Sequence, residues 1–222
     1  MVGASFLDTG VVIGYCFYFD RHGLPSTRYI TNKVKNGSLD AYRSDNVERE
    51  FQQRQSEKAQ ELSDEVALHR KEVQQQSLPK TIDKVAVQKI LDTCLDPDWD
   101  IAPTIAKWYN RNISLPIEYG KLVKKLRALE RLVESRHNRK KKDLDQMTEY
   151  HERDDSYPSI DTKLMEIHWD DRSICLDAHD VAKKNGTKLE LATTNPKDLI
   201  KNGRRGLVKR ETAISQVRDL SR

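Results

Sequence analysis

The sequence is poor in the features that would assign it to several common protein classes. Its 222 residues include only three cysteines, Cys16, Cys94 and Cys175. An odd number without close spacing argues against both a disulfide framework and a zinc knuckle. No apolar run approaches the roughly 20 residues of a membrane-spanning helix, and the apolar N-terminus lacks the basic leader and cleavage site of a signal peptide. We therefore expect a soluble, cytoplasmic protein that does not bind a membrane.

Charged residues are abundant, but their signs nearly cancel. The chain has 39 lysines and arginines against 35 aspartates and glutamates, and 36% of its residues are hydrophobic. A net charge of +4 does not by itself demand a nucleic-acid partner, so the distribution of charge carries the information. The length allows one large domain, or a small domain with a substantial insertion.

One stretch in the last quarter of the chain combines acids with a helix and a strand. Asp170 and Asp171 open a predicted helix, which Gly186 ends where a left-handed cap is favourable. Leu189 and Leu191 then alternate with polar residues, as in a short half-buried strand. A polar turn rich in oxygen ligands follows. The pattern places acids at the start of the helix and further ligands at the end of the strand.

The beginning of the chain repeats this theme. Phe6 and Leu7 lead directly to Asp8, and another apolar run follows. Alternating helices and strands predict a parallel sheet, and sites in such sheets form beyond the carboxyl ends of the strands. Asp8 follows the first strand, whereas Asn195 and Asp198 follow a later one. We expect all three side chains at the same edge of the sheet.

Several carboxylates at one edge favour a divalent cation. Crowded carboxylates repel one another, and their pKa values rise unless a cation neutralises them. Oxygen ligands suit Mg²⁺ or Mn²⁺. Such ions lower the pKa of bound water and hold a phosphodiester for in-line attack. The pattern therefore predicts metal-dependent hydrolysis of a nucleic-acid backbone.

Two segments resemble the two ends of a PIN domain: the run from Phe6 to Ile13, and the segment from Asp171 to Asp198. The resemblance covers about the first fifty and the last fifty-five residues. It implies a PIN-like three-layer α/β/α fold with a central parallel sheet, split over residues 1–51 and 166–222. Residues 52–165 would form a predominantly α-helical insertion. It also implies an Mg²⁺- or Mn²⁺-dependent endoribonuclease. We expect its RNA substrate to be single-stranded.

The resemblance assigns the acids position by position. The first family acid matches Asp8. The second follows a Ser-x-x-Val-x-x-Glu pattern that ends at Glu50, with Glu48 as the alternative. The third lies three residues before an isoleucine, which selects Asp171 over Asp170 and leaves Asp170 to cap the helix.

The fourth family position, two residues after Thr193, holds Asn195. An amide adds no charge, and Asp198 is the nearest carboxylate that could compensate. We expect metal ligation by Asp8, Glu50, Asp171 and Asn195, with Asp198 as a further catalytic residue. Three neighbours would support the site: Thr9, Asp170 and Thr193.

Two departures from the family pattern favour an alternative function. Asn195 lacks a charge, and Gly10 replaces the usual side chain that orients water or metal. A catalytically weakened PIN-like protein that binds RNA or acts as a scaffold is therefore the alternative. A toxin-type nuclease of a toxin–antitoxin pair and a flap-type DNA nuclease are further alternatives within the superfamily.

Each site residue also has a simpler interpretation. Asp8 could cap the end of a strand, Glu50 could lie on a solvated helix, and Asn195 with Asp198 could form a turn. Asp171, Cys175 and His179 share one helix face and could bind a softer metal, although core packing is the favoured role of Cys175.

The predicted insertion contains the most regular pattern in the chain. Leu122, Leu126, Leu129 and Val133 form the seam of a packed helix. The outer face and the following run are basic, and we expect five of their cations to contact nucleic acid: Lys124, Lys125, Arg139, Lys140 and Lys141. A merely solvated face and a docking surface for an acidic protein are the alternatives. The sequence also leaves open whether the protein forms a homodimer.

Overall fold

Helices and strands alternate along residues 2–221, the part of the chain described by the structure, a computed structural model. The strands are β1 (Ala4–Leu7), β2 (Asp40–Ser44), β3 (Thr81–Ile82), β4 (Ile117–Glu118), β5 (Glu149–His151), β6 (Leu189–Thr193) and β7 (Gln216–Asp219). The α-helices are α1 (Thr9–Cys16), α2 (Gly23–Tyr29), α3 (Asp45–Gln75), α4 (Lys84–Cys94), α5 (Ala102–Asn112), α6 (Tyr119–Asp145), α7 (Pro158–Lys163), α8 (Trp169–Asn185), α9 (Pro196–Leu199) and α10 (Arg204–Glu211). A π-helix, Ile30–Lys35, continues α2.

The centre of the fold is a five-stranded sheet in the order β5-β2-β1-β6-β7. All its pairs are parallel, and β1 lies between β2 and β6. Every residue of β1 is buried, as expected for a central strand covered on both faces. The predicted mixed α/β class with a central parallel sheet is confirmed. The arrangement is compatible with three layers.

Strand β6 differs from its predicted form. Alternation of leucines with polar residues predicted a half-buried strand, but all five of its residues are buried. The carboxylate of Glu190 accepts hydrogen bonds from Tyr29 Oη and, at 2.8 Å, from Arg218 Nε. These partners lie far away in the sequence, so the alternating pattern could not indicate that the glutamate is buried.

The predicted insertion is not separate from the sheet domain. Helix α3 runs without a break across residues 51 and 52, and it packs along α6. Strand β5 lies inside the interval assigned to the insertion, yet it pairs with β2 of the main sheet. The predicted boundary at 51/52 therefore lies inside α3, and the predicted insertion, residues 52–165, includes a strand of the main sheet. No helix within residues 2–221 has the length and apolar character needed to cross a bilayer.

The seam predicted on α6 is buried. Leu122, Leu126, Leu129 and Val133 are at most 4% exposed. They belong to the same continuous core as the apolar residues of β1 and β6. The core is therefore continuous from the paired helices α3 and α6 to the sheet.

Candidate active site

The five predicted site residues line one cavity of about 790 Å³, called here the acidic cavity. Asp8 follows β1, Glu50 lies in α3, and Asp171 lies in the first turn of α8. Asn195 and Asp198 follow β6. Because β1 and β6 pair in parallel, with Leu7 opposite Ala192, both strands end at the same edge of the sheet. The structure thus brings together all five side chains.

Asp8 occupies the N-cap position of α1, but its side chain does not cap that helix by a hydrogen bond. It accepts a hydrogen bond from Thr193 Oγ1 at 2.6 Å, and the residue is only 4% exposed. Burial, together with the negative charges of Asp171 and Glu50, raises the pKa of Asp8 to about 7 against the opposing hydrogen bond from Thr193. Asp8 is therefore a buried acid close to other acids of the cavity, and its side chain does not cap α1.

Asp171 is the second acid of the cavity with a raised pKa. Asn195 Nδ2 lies 3.1 and 3.2 Å from its two carboxylate oxygens. Burial raises the pKa of Asp171 to about 6, with contributions from the charges of Asp198 and Glu50, while the hydrogen bond from Asn195 lowers it. Its neighbour Asp170 also lines the cavity. The helix-capping role predicted for Asp170 is wrong, because His168 occupies the N-cap position.

Asn195 is both a turn former and a site residue. Its Oδ1 accepts a hydrogen bond from the backbone N–H of Asp198 at 3.2 Å, which caps α9. Its Nδ2 donates to Asp171 and, at 3.3 Å, to Asp198 Oδ2. The amide therefore stands between two carboxylates and supplies a donor to both. Asp198 is also paired with Arg204 at 3.0 Å.

The structure places Glu50, not Glu48, at the acidic cavity. Glu50 accepts a hydrogen bond from Thr9 Oγ1 at 2.7 Å and pairs with Arg54 at 3.0 Å. Glu48 instead pairs with Arg43 and, at 2.9 Å, with Lys141. The Ser-x-x-Val-x-x-Glu spacing selected Glu50 with Glu48 as the alternative, and the lining of the cavity agrees with that choice.

Thr194 is a residue of the cavity that the sequence analysis missed, and it explains the departure at Gly10. A Cβ atom at Gly10 would lie 2.1 Å from Thr194 Oγ1. Non-bonded atoms do not approach this closely, so the Thr194 hydroxyl fills the space in which a side chain at position 10 would lie. The glycine is thus a steric consequence of a partner at the end of β6. The only signal of this partner in the sequence was the glycine itself.

We expect Gly10→Ala to destabilise the protein by about 1–3 kcal/mol, because the new methyl group overlaps a buried hydroxyl. Adding Thr194→Ala should recover most of this loss, since the next atom, Thr194 Cβ, would lie 3.5 Å from the added methyl group. Thr194→Ser keeps the hydroxyl and serves as the control. Urea denaturation of the single and double variants measures the coupling. Equal losses in Gly10→Ala and in Gly10→Ala/Thr194→Ala would contradict the steric explanation.

The sequence analysis also missed a group of charged residues that line the acidic cavity: Asp20, Arg21, Lys58 and Asp100. Lys58 pairs with Asp20 at 3.0 Å and with Asp100, which Arg21 also binds. Asp100 belongs to the predicted insertion, so the insertion contributes to the cavity. These residues lie far apart in the sequence, and Lys58 itself looks like an ordinary residue of a solvated helix. Only the tertiary fold brings them together.

The acidic cavity has a large excess of negative side chains. Nine aspartates and glutamates line it, against three lysines and arginines. Within residues 2–221, no three histidine, cysteine or carboxylate side chains are positioned as a ready set of metal ligands. Glu50 is held by Thr9 and Arg54, and Asp198 by Arg204. Carboxylate and amide oxygens suit a hard divalent cation. In this structure, however, Glu50 and Asp198 form hydrogen bonds or ion pairs with other side chains.

The five cations predicted to contact nucleic acid are not among the residues that line the acidic cavity. Lys140 Nζ lies 4.6 Å from the centre of the Tyr15 ring. Lys141 pairs with Glu48, and with Asp145 at 2.7 Å, so it joins α6 to the body of the protein. The other three, Lys124, Lys125 and Arg139, are exposed, and Lys125 Nζ donates to the backbone carbonyl of Asn112 at 2.7 Å.

The alternative metal site on α8 does not form. Cys175 is fully buried, and burial raises the pKa of its thiol well above the usual value. His179 Nδ1 accepts a hydrogen bond from the backbone N–H of Ala213 at 2.8 Å. Cys175 therefore packs in the core, as predicted, and one ring nitrogen of His179 holds the backbone of Ala213.

Comparison with known proteins does not add a relative. No family model, no curated protein and no solved structure matches the chain. The function is therefore argued from the geometry and chemistry of the acidic cavity.

Proposed function

We propose that the protein is a PIN-like, Mg²⁺- or Mn²⁺-dependent endoribonuclease whose active site is the acidic cavity. One observation carries the proposal. Asp8, Glu50 and Asp171 reach the cavity from three separate elements, and the pKa values of Asp8 and Asp171 are raised by burial and by the charges of neighbouring acids. Titratable groups perturbed in this way cluster at functional sites.

The excess of carboxylates supports a requirement for a cation. A phosphodiester brings further negative charge, which the cavity would repel unless a cation neutralised part of it. Asp8, Glu50, Asp171 and Asn195 would hold the cation. When bound, the cation lowers the pKa of a water molecule and stabilises charge on the phosphodiester.

Hydrogen bonds position these ligands, and one of them comes from Asn195, which itself belongs to the ligand set. Thr193 donates a hydrogen bond to Asp8, and Asn195 donates one to Asp171. Thr9 fixes Glu50 through its hydroxyl. Such outer hydrogen bonds orient ligands, and their loss typically costs about 10–100-fold in metal affinity or activity. The exposed cations Lys124 and Arg139 of α6 remain proposed contacts for more distant phosphates of the RNA.

The test is cleavage of a labelled single-stranded RNA in Mg²⁺, in Mn²⁺ and in EDTA. We expect cleavage that requires either cation and that falls more than about a hundredfold in Asp171→Asn, because loss of a direct ligand exceeds loss of an outer partner. Asp177→Asn is the matched control. Asp177 is a buried acid on the same helix, and its carboxylate binds Ser44 and Asn46 rather than lining the cavity.

Two outcomes would count against nuclease activity at this site. Cleavage that survives in Asp171→Asn would place the active site elsewhere. RNA binding without cleavage in any divalent cation would favour the catalytically weakened RNA-binding or scaffolding protein, which the uncharged Asn195 also supports.

A further inference from the structure

An exposed indole ring adjoins His168, a residue that lines the acidic cavity. Trp169, the first residue of α8, is 59% exposed. The other two tryptophans, Trp99 and Trp108, are partly buried and pack against the core. A single exposed apolar side chain needs no explanation by itself, so the location of the ring decides whether it has a function.

The residues on both sides of Trp169 in the sequence, His168 and Asp170, line the acidic cavity. The rings of His168 and Trp169 lie 6.1 Å apart with an angle of 43° between their planes. Trp169 itself does not line the cavity, but its ring neighbours that of His168, which does. Nδ1 of His168 also lies 3.5 Å from Oδ2 of Asp170.

Because the cavity is acidic, an aromatic contact would add affinity for RNA that the charge of the cavity does not supply. With nine acids against three lysines and arginines, the cavity gives a phosphate backbone little electrostatic attraction of its own. Stacking of a base on an aromatic ring supplies affinity that does not depend on charge. It also tolerates any base, because every base has a π-face.

We propose that Trp169, together with His168, stacks a base of single-stranded RNA next to the phosphate that enters the acidic cavity. The inference rests on the proposed function, because it takes the ligand of the cavity to be RNA. It makes Trp169 a substrate-positioning residue and requires an unpaired base at that point, since a base held in a duplex offers no free face to the ring.

The test measures binding of a fluorescein-labelled single-stranded RNA in Ca²⁺, with a gel to confirm that the RNA stays intact. We expect Trp169→Ala to weaken binding about five- to hundredfold, in the range of one stacked base, and Trp169→Phe to retain most of the affinity. Tyr150→Ala is the matched control, because Tyr150 is an aromatic residue exposed to 52% that does not line the cavity. It should bind RNA as tightly as the wild-type protein.

A scan of abasic positions tests the stacked base itself. One abasic position should weaken binding to the wild-type protein and cause little additional loss in Trp169→Ala, because the same contact is then missing from both sides. RNA should also quench the tryptophan emission of the wild-type protein far more than that of Trp169→Phe. Equal affinities of wild type and Trp169→Ala, with unchanged emission, would overturn the inference and leave the ring as a contact for a protein.

The two proposals can fail separately. Metal-dependent cleavage with no effect of Trp169→Ala on affinity or emission would reject the stacking contact and leave the nuclease intact. Loss of RNA affinity in Trp169→Ala, in a protein that cuts no RNA in any divalent cation, would support stacking and reject the nuclease.

Discussion

Asp8→Asn is expected to stabilise the metal-free protein by about 2–4 kcal/mol near pH 8, although it removes a ligand of the proposed site. Burial and neighbouring acids raise the pKa of Asp8 to about 7 from a usual value of 3.8, so its ionised form is costly in the folded state. Asparagine has nearly the same shape and can accept the hydrogen bond from Thr193 Oγ1, but it has no charge. The same substitution should abolish metal-dependent cleavage.

The stability difference between Asp8→Asn and the wild-type protein should depend on pH. Below about pH 4 the carboxyl group is protonated in both the folded and the unfolded chain, and the variant gains nothing. Between about pH 4 and pH 7 the unfolded chain releases its proton more readily than the folded chain. The wild-type protein therefore loses stability relative to Asp8→Asn over this window, and the difference is constant above it.

Urea denaturation in EDTA across this pH range checks the prediction. Asp180→Asn is the control of opposite sign. Hydrogen bonds from Tyr157, His151 and Lys184 outweigh burial and lower the pKa of Asp180 to about 2. Its ionised form is therefore favoured in the folded state, and Asp180→Asn should destabilise the protein above about pH 4. A loss of stability in both variants near pH 8 would show that Asp8 is an ordinary structural carboxylate.

Asn195→Asp is expected to act in the opposite direction on the metal-free protein. The amide that donates to Asp171 and Asp198 would become a third carboxylate among them. Lost hydrogen bonds and added repulsion should cost about 1–3 kcal/mol of stability near pH 8. A bound cation reverses this balance, so the affinity for Mn²⁺ should rise by about tenfold or more, which corresponds to at least about 1.4 kcal/mol.

Calorimetric titration with Mn²⁺ measures that gain. Asn112→Asp is the matched control, since Asn112 lies on the surface of α5 and donates to the carbonyl of Trp108. It adds the same charge away from the cavity and should leave the Mn²⁺ affinity unchanged. Equal gains in both variants would point to a general effect of net charge, and weaker binding in Asn195→Asp would exclude position 195 from the ligand set.

Local patterns predicted the elements that carry the site. The apolar run before Asp8 forms β1, and Gly186 ends α8 in the left-handed conformation that was expected of it. Parallel pairing of β1 and β6 then places Asp8 and Asn195 at one edge of the sheet. The spacing of apolar residues and the residue types that end helices are local properties, so a single sequence reveals them.

Contacts between distant segments could not be predicted in this way. The glutamate of β6 looked exposed because its partner Arg218 comes 28 residues later. Lys58 and Asp100 are 42 residues apart in the sequence and pair only in the folded chain. Strand β5 is three residues long, too short for a visible alternation. Each miss involves a buried charge, or a short segment whose role depends on a partner elsewhere in the chain.

The central claim is that Asp8, Glu50 and Asp171 together bind a divalent cation. Its most direct test is calorimetric titration of the metal-free protein with Mn²⁺ at about pH 6.5, in two buffers with different ionisation enthalpies. With pKa values of about 7 and about 6, Asp8 and Asp171 together carry about one proton at that pH, which the cation must displace. We predict saturable binding that releases about one proton, and weaker binding with less release in Asp8→Asn. Absence of saturable binding at millimolar Mn²⁺, or binding that is unchanged in Asp8→Asn, would contradict the claim.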